Sequence, residues 1–323
     1  MSLAPLALPI RGEGQPRRNG TGLVFDALML DHVHPPRSDG SFHPERPERL
    51  IRMRDALTAA GLWSAMQRLN ADAVDPRPFI EGYHEREHVE AVRGLGVTAS
   101  AAELAVAGSL AAVQAVAQGQ VRNAFCAIRP PGHHANNTGA EEGFCYYSNA
   151  AIAAKFAQQV FGYEKILIID WDYHHGNGTE NAFYADPSVL FFSTHDWRAY
   201  PGTGDPARRG TGDATGLNIN VDLACGAGDR EMLDAWDRHL LPALDEFEPD
   251  FVLLSAGFDS RREDLLGCFD VSDDCFTRMT RMAMDIADQY CDGRLVSLLE
   301  GGYNVDGTAR AAVAHVSALL DGS

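Results

Sequence analysis

The 323-residue sequence predicts a single α/β domain in which helices cover both faces of a central parallel sheet of about eight strands. Short apolar runs typical of strands alternate with helical patterns from Thr21 to the C-terminus, which favours parallel pairing. The run Ile166–Ile169 is apolar throughout, as expected for a strand buried on both faces. Polar residues follow at least four of the strands, at the edge where such sheets bind their ligands.

The predicted elements begin after residue 20. Residues 1–20 contain Pro, Gly and Arg without periodicity and predict an extended arm, so the domain itself spans 21–323. A proline introduces the first predicted helix, and an alanine-rich composition marks the longest one. The predicted strands are Gly22–Phe25, Asn123–Ile128, Lys165–Asp170, Val189–Phe192, Leu217–Val221, Phe251–Ser255 and Leu295–Leu299. The predicted helices are Glu45–Leu57, Thr98–Val121, Tyr147–Phe161, Arg230–Phe247 and Ser272–Asp292.

The composition argues against several classes of protein. A hydrophobic content of 45% and a charged content of 22% are those of an ordinary soluble protein, and no apolar run reaches the ~18 residues of a transmembrane helix. The net charge of -18 argues against nucleic-acid binding, which needs a basic face, and suits cationic partners such as lysine-rich segments or amines. We therefore expect neither a nucleic-acid partner nor a membrane partner.

The cysteines and the N-terminus predict a cytoplasmic location. The cysteines form no C-x-x-C pair and lie in apolar contexts, which is typical of buried thiols in a reducing compartment. Leu3–Ile10 is apolar, but two prolines interrupt it and no basic segment precedes it, so it is a poor signal peptide. The cysteines are Cys126, Cys145, Cys225, Cys268, Cys275 and Cys291.

The residues that follow the apolar run at 166–169 indicate a metal site. Asp170, Asp172 and His174 alternate with period two, so in extended backbone their side chains lie on the same side. Carboxylates and histidines so close together would be costly without a counter-charge, and a cation supplies one. The alternative is a strand followed by a polar turn in which these side chains act as caps.

Three other strand ends also pair small residues with a reactive side chain. They are Arg129–His134, Ser255–Ser260 and Glu300–Asn304. Asp172 and His174 together with Asp259 would give the three protein ligands of a catalytic zinc, with the fourth position left for water.

A zinc site with two anionic ligands needs a nearby base, because its water is less acidic than water at a three-histidine site. His133 and His134 are candidates for that base, and Tyr303 is a candidate to polarise a substrate carbonyl and hold its oxyanion. The alternative for the two histidines is a pair of exposed or capping residues.

The four strand-end motifs, together with Phe42–Leu50 and Glu142–Asn149, resemble the histone deacetylase and acetylpolyamine amidohydrolase superfamily, nearest its class II branch. The similarity extends from about Thr21 to the C-terminus in the family's order and spacing. It implies an arginase/deacetylase-like fold and a zinc-dependent amidohydrolase that acts on linear amides. The implied reaction is hydrolysis of the N-acetyl or other N-acyl amide of lysine side chains in proteins or peptides.

The resemblance implies a role for most residues at the strand ends. It makes Asp172, His174 and Asp259 the ligands of one zinc ion per chain, and it makes Tyr303 the group that stabilises the tetrahedral intermediate. These four residues carry the implied chemistry.

The resemblance further makes His133 the histidine that Asp170 orients and His134 the general base. Asn177 stands behind His134 where some branches have Asp, and this favours a class II placement.

A structural potassium ion is also implied. Its ligands would come from Asp170, Asp172, His174, Ser193 and Thr194. Considered without the resemblance, Asp170 is equally suited to orient a neighbour by hydrogen bonding with no ion present.

A narrow substrate channel is implied as well, because Gly143, Phe144 and Tyr200 match positions in its walls. Aromatic walls suit a methylene chain. Leu266 falls at the rim, where a carboxylate would favour polyamines, so leucine favours acyl-lysine. Arg49 matches an arginine on the acetate exit route, with a surface helix cap as its alternative.

The sequence departs from the family at Arg93–Ala99, where relatives carry a longer loop with an acidic residue that clamps the substrate backbone. One wall of the channel mouth is therefore expected to be low unless the N-terminal arm or another subunit of a homo-oligomer covers it. The physiological substrate, the acyl length and the oligomeric state do not follow from the sequence.

Three alternative functions remain open. The first is hydrolysis of acetylpolyamines or other small N-acyl amines. The second is a ureohydrolase with two manganese ions, although that site needs more Asp and His ligands than these strand ends offer. The third is a catalytically silent acyl-lysine binder, which the presence of Tyr303 disfavours.

Overall fold

A computed structural model of the chain describes residues 20–36 and 38–322, and within these residues eight strands form a single sheet. The strand order is β2-β1-β3-β8-β7-β4-β5-β6, and every neighbouring pair is parallel. The strands are β1 (Thr21–Val24), β2 (Gln67–Leu69), β3 (Asn123–Cys126), β4 (Ile166–Asp170), β5 (Val189–His195), β6 (Asn218–Asp222), β7 (Phe251–Ala256) and β8 (Leu295–Leu299). The predicted fold class is confirmed. Apart from Gly20, the predicted N-terminal arm lies outside the described residues.

Helices flank this sheet and bury its apolar strands. One group is formed by α5 and α6, which pack on each other, and another by α1, α10 and α11. The described α-helices are α1 (Glu48–Ala59), α2 (Leu62–Ala65), α3 (Arg77–Tyr83), α4 (Arg86–Arg93), α5 (Val97–Ala117), α6 (Asn149–Phe161), α7 (Asn177–Phe183), α8 (Asp229–Ala235), α9 (Leu241–Phe247), α10 (Asp273–Tyr290) and α11 (Val305–Asp321). Because β4, β7 and β8 are buried along their whole length, they read in the sequence as nearly continuous apolar runs.

By length and composition, helix α5 is long and apolar enough to cross a membrane. The sequence had predicted no such helix, because no continuous apolar run reaches ~18 residues. However, 78% of its apolar stretch is buried inside the protein, where it packs against α6 and the sheet. Its apolar surface therefore belongs to the core. The helix ends four residues before the predicted Val121, because the chain turns at Gly119 with a φ of 66°.

Two other predicted boundaries differ from the structure. The region predicted as one helix over Arg230–Phe247 contains α8, a π-helical turn at Trp236–Leu240, and α9. Pro242 explains the interruption, since it has no N–H to donate to the preceding turn. Strand β2 was not predicted, because two of its three residues are exposed at the sheet edge and leave no apolar pattern.

The prediction of six buried thiols is wrong for two cysteines. The structure pairs Cys225 with Cys268 in a disulfide between two loops, and Cys225 is exposed. The other four cysteines are free and buried, as expected. The two paired residues are 43 positions apart, and only the fold brings their Cα atoms to 5.2 Å, so no local context revealed the pairing.

Glu45 ties the chain before α1 to the sheet. Its carboxylate accepts hydrogen bonds from Arg129 Nε at 2.8 Å and Nη2 at 2.6 Å, and from Arg49 Nη1 at 3.1 Å. All three side chains are fully buried. Burial opposes ionisation of Glu45, but the neighbouring Arg129 outweighs it and holds the pKa of Glu45 well below its usual range. Arg129 also donates to the carbonyls of Met29 and His32, which fixes that segment to the end of β3.

We expect Glu45→Gln to lower the free energy of unfolding by about 3–5 kcal/mol, because two buried guanidinium groups lose their counter-charge. Urea denaturation measures this effect. Glu48→Gln is a matched control, since Glu48 lies three residues further along at the start of α1 with a side chain that is 52% exposed, and it should change stability by less than about 0.5 kcal/mol. Equal stabilities for the two variants would show that the buried ion pairs do not hold this segment.

Candidate metal centre and active site

Three potential metal ligands converge where β4 and β7 end. Asp172 and His174 follow β4, and Asp259 follows β7, which is its neighbour in the sheet. Each residue offers one ligand atom, and the three atoms lie within 4.8 Å of one another. His174 Nδ1 is 3.2 Å from Asp172 Oδ1 and 2.9 Å from Asp259 Oδ2. All three residues are buried.

This donor set fits a zinc ion. Ligand atoms bonded to tetrahedral zinc at about 2.0–2.2 Å lie roughly 3.3–3.6 Å apart, which is close to the spacing of these atoms. Burial, and then the charge of Asp172, raise the pKa of Asp259 to about 7. The His174 ring lies between the two carboxylates, and a positive charge at this place favours the ionised form of both.

Backbone hydrogen bonds hold the two carboxylates in place. Asp172 Oδ2 accepts the N–H of Gly301 at 2.8 Å, and Asp259 Oδ1 accepts the N–H of Tyr173 at 2.8 Å. A Cβ atom at position 301 would overlap carboxylate oxygens of both aspartates. Only glycine allows the chain after β8 to pass this close to the metal ligands.

The adjacent histidines lie beside this triad and have different partners. His133 Nδ1 is 3.0 Å from Asp170 Oδ2, whereas His134 Nδ1 is 2.8 Å from Asn177 Oδ1. Both histidines are buried, so the alternative of an exposed or capping pair does not apply. The centroids of the two rings are 4.0 Å apart. The carboxylate of Asp170 lies behind the His133 ring, whereas the amide of Asn177 lies behind the His134 ring.

These partners give the two imidazoles opposite proton affinities. Burial lowers the pKa of His133, but the charges of Asp172 and Asp170 outweigh burial and raise the pKa well above its ordinary value. Burial and the charge of His133 lower the pKa of His134 well below its ordinary value. The pair therefore contains one imidazole that retains a proton and one that is free to accept a proton.

Tyr303 is buried beside the triad. Its ring centroid is 6.4 Å from that of His174, and the guanidinium of Arg49 lies 5.1 Å from its ring. Burial, and then the charge of Asp259, raise the pKa of Tyr303 well above 10, so its hydroxyl remains a hydrogen-bond donor. Arg49 is fully buried and donates to the carbonyls of Gly302 at 2.6 Å and of Glu300, which excludes a surface helix cap.

Two aromatic rings flank these residues from different loops. The ring of Phe144 is 5.7 Å from that of Tyr303, and the ring of Tyr200 is 5.0 Å from that of His134. Gly143 has a φ of 51°, and a Cβ atom there would overlap the His134 ring. Tyr200 is 49% exposed, so this side of the site reaches solvent.

Other residues expected near the mouth lie on surface loops. Leu266 is half-buried in the loop after Asp259. The loop expected at Arg93–Ala99 is shorter still, because only residues 94–96 separate α4 from α5. Leu95 and Val97 are 48% and 56% exposed at this point.

Of the residues expected to bind potassium, Asp170 ends β4, Ser193 and Thr194 lie on the neighbouring β5, and Asp172 and His174 follow β4. Asp170 is in register with Ser193, and Asp170 Oδ1 accepts the N–H of Asp172 at 3.1 Å. Asp170 therefore makes the orienting hydrogen bonds that need no ion. Thr194 Oγ1 is buried without a hydrogen-bond partner, but Thr194 follows Ser193 along β5, so its side chain lies on the opposite face of the sheet from Asp170 and Ser193.

Glu300, for which the sequence predicted no role, organises the loop that carries the two histidines. Its Oε2 accepts the N–H groups of Gly132 at 2.7 Å and His133 at 3.2 Å, and its Oε1 accepts the Ser255 hydroxyl at 3.2 Å. The signal was present, since Glu300 directly follows the apolar run of β8. An acid at such a position is buried and therefore needs donors.

A second cluster, of His32, His34 and Glu45, also has metal-ligand geometry. Glu45 already receives hydrogen bonds from Arg49 and Arg129 on both of its oxygens. The positive charge that a cation would bring is therefore already supplied, and this cluster is explained as part of the buried ion-pair network.

The chain is similar to known deacetylases over most of its length. A family model described as "Histone deacetylase domain" matches residues 43–319. A "Probable deacetylase" of Archaeoglobus fulgidus is 39% identical over 304 residues, which cover 89% of this chain and 82% of that protein. "Histone deacetylase 15" of Arabidopsis thaliana is 37% identical over 94% of this chain but only 57% of its own length.

A solved structure has the same architecture. The crystal structure of the HDA15 HD domain superposes with a TM-score of 0.88 at 37% sequence identity, covering 94% of this chain and 89% of that one. The plant protein "Histone deacetylase 5" is 36% identical, and this chain spans half (50%) of its length. The longer relatives therefore contain regions with no counterpart in this chain.

We expect the triad to bind one zinc ion per chain and Asp259→Asn to abolish stoichiometric binding, because the amide removes an anionic ligand. Elemental analysis after removal of free metal measures zinc content. Zinc at about 100 times its dissociation constant should stabilise the parent by roughly 2.7 kcal/mol. Asp270→Asn, which changes a 65% exposed carboxylate in the following loop, is the control that should retain zinc. Stoichiometric zinc in Asp259→Asn would remove this residue from the metal site.

Proposed function

Because the chain belongs to the histone deacetylase family, we propose that it is a zinc-dependent deacetylase that hydrolyses the N-acetyl amide of lysine side chains in proteins or peptides. Membership of the family makes the chain a deacetylase and hence a hydrolase. The observation that carries the finer proposal is a buried ligand triad with a histidine pair and Tyr303 beside it, flanked by two aromatic rings.

Asp172, His174 and Asp259 are proposed to hold the zinc ion. When bound, such an ion supplies a Lewis acid that polarises the acyl carbonyl and makes the attacking water more acidic. With two carboxylate ligands its effective charge is reduced, so this chain has to supply a base of its own.

His134 is proposed as that base. Its Nδ1 faces the neutral amide of Asn177, so the other nitrogen, Nε2, can accept a proton from water. His133 faces the carboxylate of Asp170, which stabilises the imidazolium form. A protonated histidine of the pair then donates a proton to the departing amine, and the amine leaves as a neutral group.

Tyr303 is proposed to donate its hydroxyl proton in a hydrogen bond to the carbonyl oxygen as negative charge develops there. The site supports this role because burial keeps the phenol protonated and Arg49 packs against its ring. The complete triad and this tyrosine disfavour a catalytically silent binder.

Acyl-lysine is proposed as the substrate on the basis of the channel. Phe144 and Tyr200 offer ring faces to a methylene chain, and the acidic chain, with its net charge of -18, suits lysine-rich partners. A small N-acyl amine such as an acetylpolyamine is the second candidate. Leu266 argues against it, because leucine cannot pair with an amine at the rim.

Three further statements remain predictions from the sequence. They are a potassium ion at Asp170, Ser193 and Thr194, a second subunit at the short loop between α4 and α5, and a cytoplasmic location. The register of Asp170 with Ser193 supports the first. The exposed Leu95 and Val97 support the second.

Tyr303→Phe should lower kcat by about 100-fold or more, because one oxyanion donor is lost, while zinc content stays at that of the parent. Turnover of an acetyl-lysine peptide and elemental analysis measure the two quantities. Tyr290→Phe is the matched control, since Tyr290 donates its hydroxyl to Asp245 at the surface. Equal rates for Tyr303→Phe and the parent would refute the role of this hydroxyl.

Parallel assays on an acetyl-lysine peptide and on acetylspermidine should give a higher kcat/KM for the peptide. Leu266→Glu should shift the ratio of the two kcat/KM values about tenfold toward acetylspermidine, because it adds an anion at the rim. Leu265→Glu, which introduces the same charge at a 65% exposed neighbour, should shift it less. A parent enzyme that prefers acetylspermidine would establish the amine as the substrate class instead.

A further inference from the structure

We propose that Asp264 is a positioning residue that holds Tyr303 in its reactive place and ties it to the loop that carries Leu266. This inference rests on the proposed function only where it assigns a catalytic role to Tyr303. Asp264 itself lies in the loop after Asp259, and its neighbour Glu263 is exposed.

A single carboxylate collects the backbone amides of two loops. Asp264 Oδ2 accepts the N–H groups of Tyr303 at 2.7 Å and Asn304 at 2.9 Å. Asp264 Oδ1 accepts the N–H groups of Leu266 at 2.9 Å and Gly267 at 3.4 Å. Each oxygen of Asp264 therefore belongs to one loop, and the side chain joins the two loops.

The turn that carries Tyr303 needs such an acceptor. The amide of Glu300 still bonds to Ala256 of β7, but residues 301–304 have left β8, and the amides of Tyr303 and Asn304 have no strand partner before the first turn of α11. The side chain of Asn304 makes two further bonds. Its Oδ1 caps α11 by accepting the N–H of Gly307 at 3.0 Å, and its Nδ2 donates to the carbonyl of Glu263 at 2.9 Å. The same two loops are thus linked a second time.

The loop of Asp264 is held in an unusual backbone conformation. Glu263 has a φ of 66°, which non-glycine residues adopt rarely and retain only when surrounding contacts impose it. Next to it, Arg261 is fixed by Asp273 through hydrogen bonds of 2.7 and 3.1 Å. The loop is therefore a firm support for the turn at Tyr303.

This geometry makes the placement of Tyr303 depend on Asp264. Release of the Tyr303 and Asn304 amides lets the turn relax, and the ring moves with the backbone to which it is attached. A displacement of about 1 Å of a catalytic group costs about 100-fold in rate. The same carboxylate holds the amide of Leu266. A substrate that displaces the loop at Leu266 would therefore also shift the position of Tyr303.

Asp264→Ala tests the inference, because it removes all four hydrogen bonds. We expect kcat to fall about 100-fold with little change in KM or in zinc content. Hydrogen exchange of the peptide containing 300–304, followed by mass spectrometry, should become faster. Glu263→Gln is the matched control, since it removes an adjacent carboxylate that is 71% exposed, and it should leave both readouts unchanged.

A double-mutant cycle separates positioning from general damage to the fold. In the Tyr303→Phe background, Asp264→Ala should lower kcat by less than about threefold, because the hydroxyl that it positions is already absent. A full 100-fold loss in both backgrounds would overturn the inference. If the parent hydrolyses no acyl amide, the proposed function is wrong. If hydrogen exchange at 300–304 is the same in Asp264→Ala as in the parent, Asp264 does not hold the turn at Tyr303.

Asp264→Asn serves if the alanine variant does not fold. The amide has one acceptor oxygen, so one pair of backbone N–H groups keeps its partner and the other pair loses it. Exchange at 303–304 and at 266–267 shows which pair is released. Turnover should fall about 100-fold if 303–304 is released and stay near the parent value if 266–267 is released. Loss of turnover with 303–304 still protected would contradict the inference.

Discussion

The burial of two neighbouring carboxylates at one sheet edge is the constraint on which the rest of the structure depends. Asp172 and Asp259 follow adjacent strands and lie fully inside the protein, where like charges repel strongly. Their oxygens face His174, and backbone amides hold them in this arrangement. Positive charge between them offsets this repulsion, so the fit of the site to a cation follows from the architecture rather than from any single residue.

Other acids that are buried or half-buried organise the loops around this site. Glu45 binds two arginines, Glu300 accepts amides of the histidine loop, and Asp264 accepts amides from the turn at Tyr303. The reason is common to all three. Loops that leave the carboxyl edge of a parallel sheet lose their ladder partners, and a carboxylate with two oxygens can satisfy several N–H groups at once. The firm placement of the side chains proposed to be catalytic is a consequence of this arrangement.

Much of the fold was readable from the sequence, because strands buried on both faces are continuous apolar runs and the long helices have regular apolar spacing. The features that were missed have no such local signal. Strand β2 is short and exposed, whereas the π-helical turn at Trp236–Leu240 follows from the missing N–H of Pro242, a local signal that interrupts a helix without specifying the form of the interruption. The disulfide between Cys225 and Cys268 depends on two loops that are distant in the chain. Helix α5 shows the converse, since its hydropathy resembles that of a membrane helix and only its burial places it in the core.

The sequence by itself determined the fold class, the strand-end motifs and the residue types that a metal site requires, because each of these is written in a few consecutive residues. The tertiary structure alone decided contacts that neither the motifs nor the resemblance implied, namely Glu300 at the amides of Gly132 and His133 and Asp264 at the amides of Tyr303 and Asn304. The physical reason is that periodicity fixes the direction of a side chain within its own strand or helix. Distances between loops follow from how the whole sheet and its helices pack.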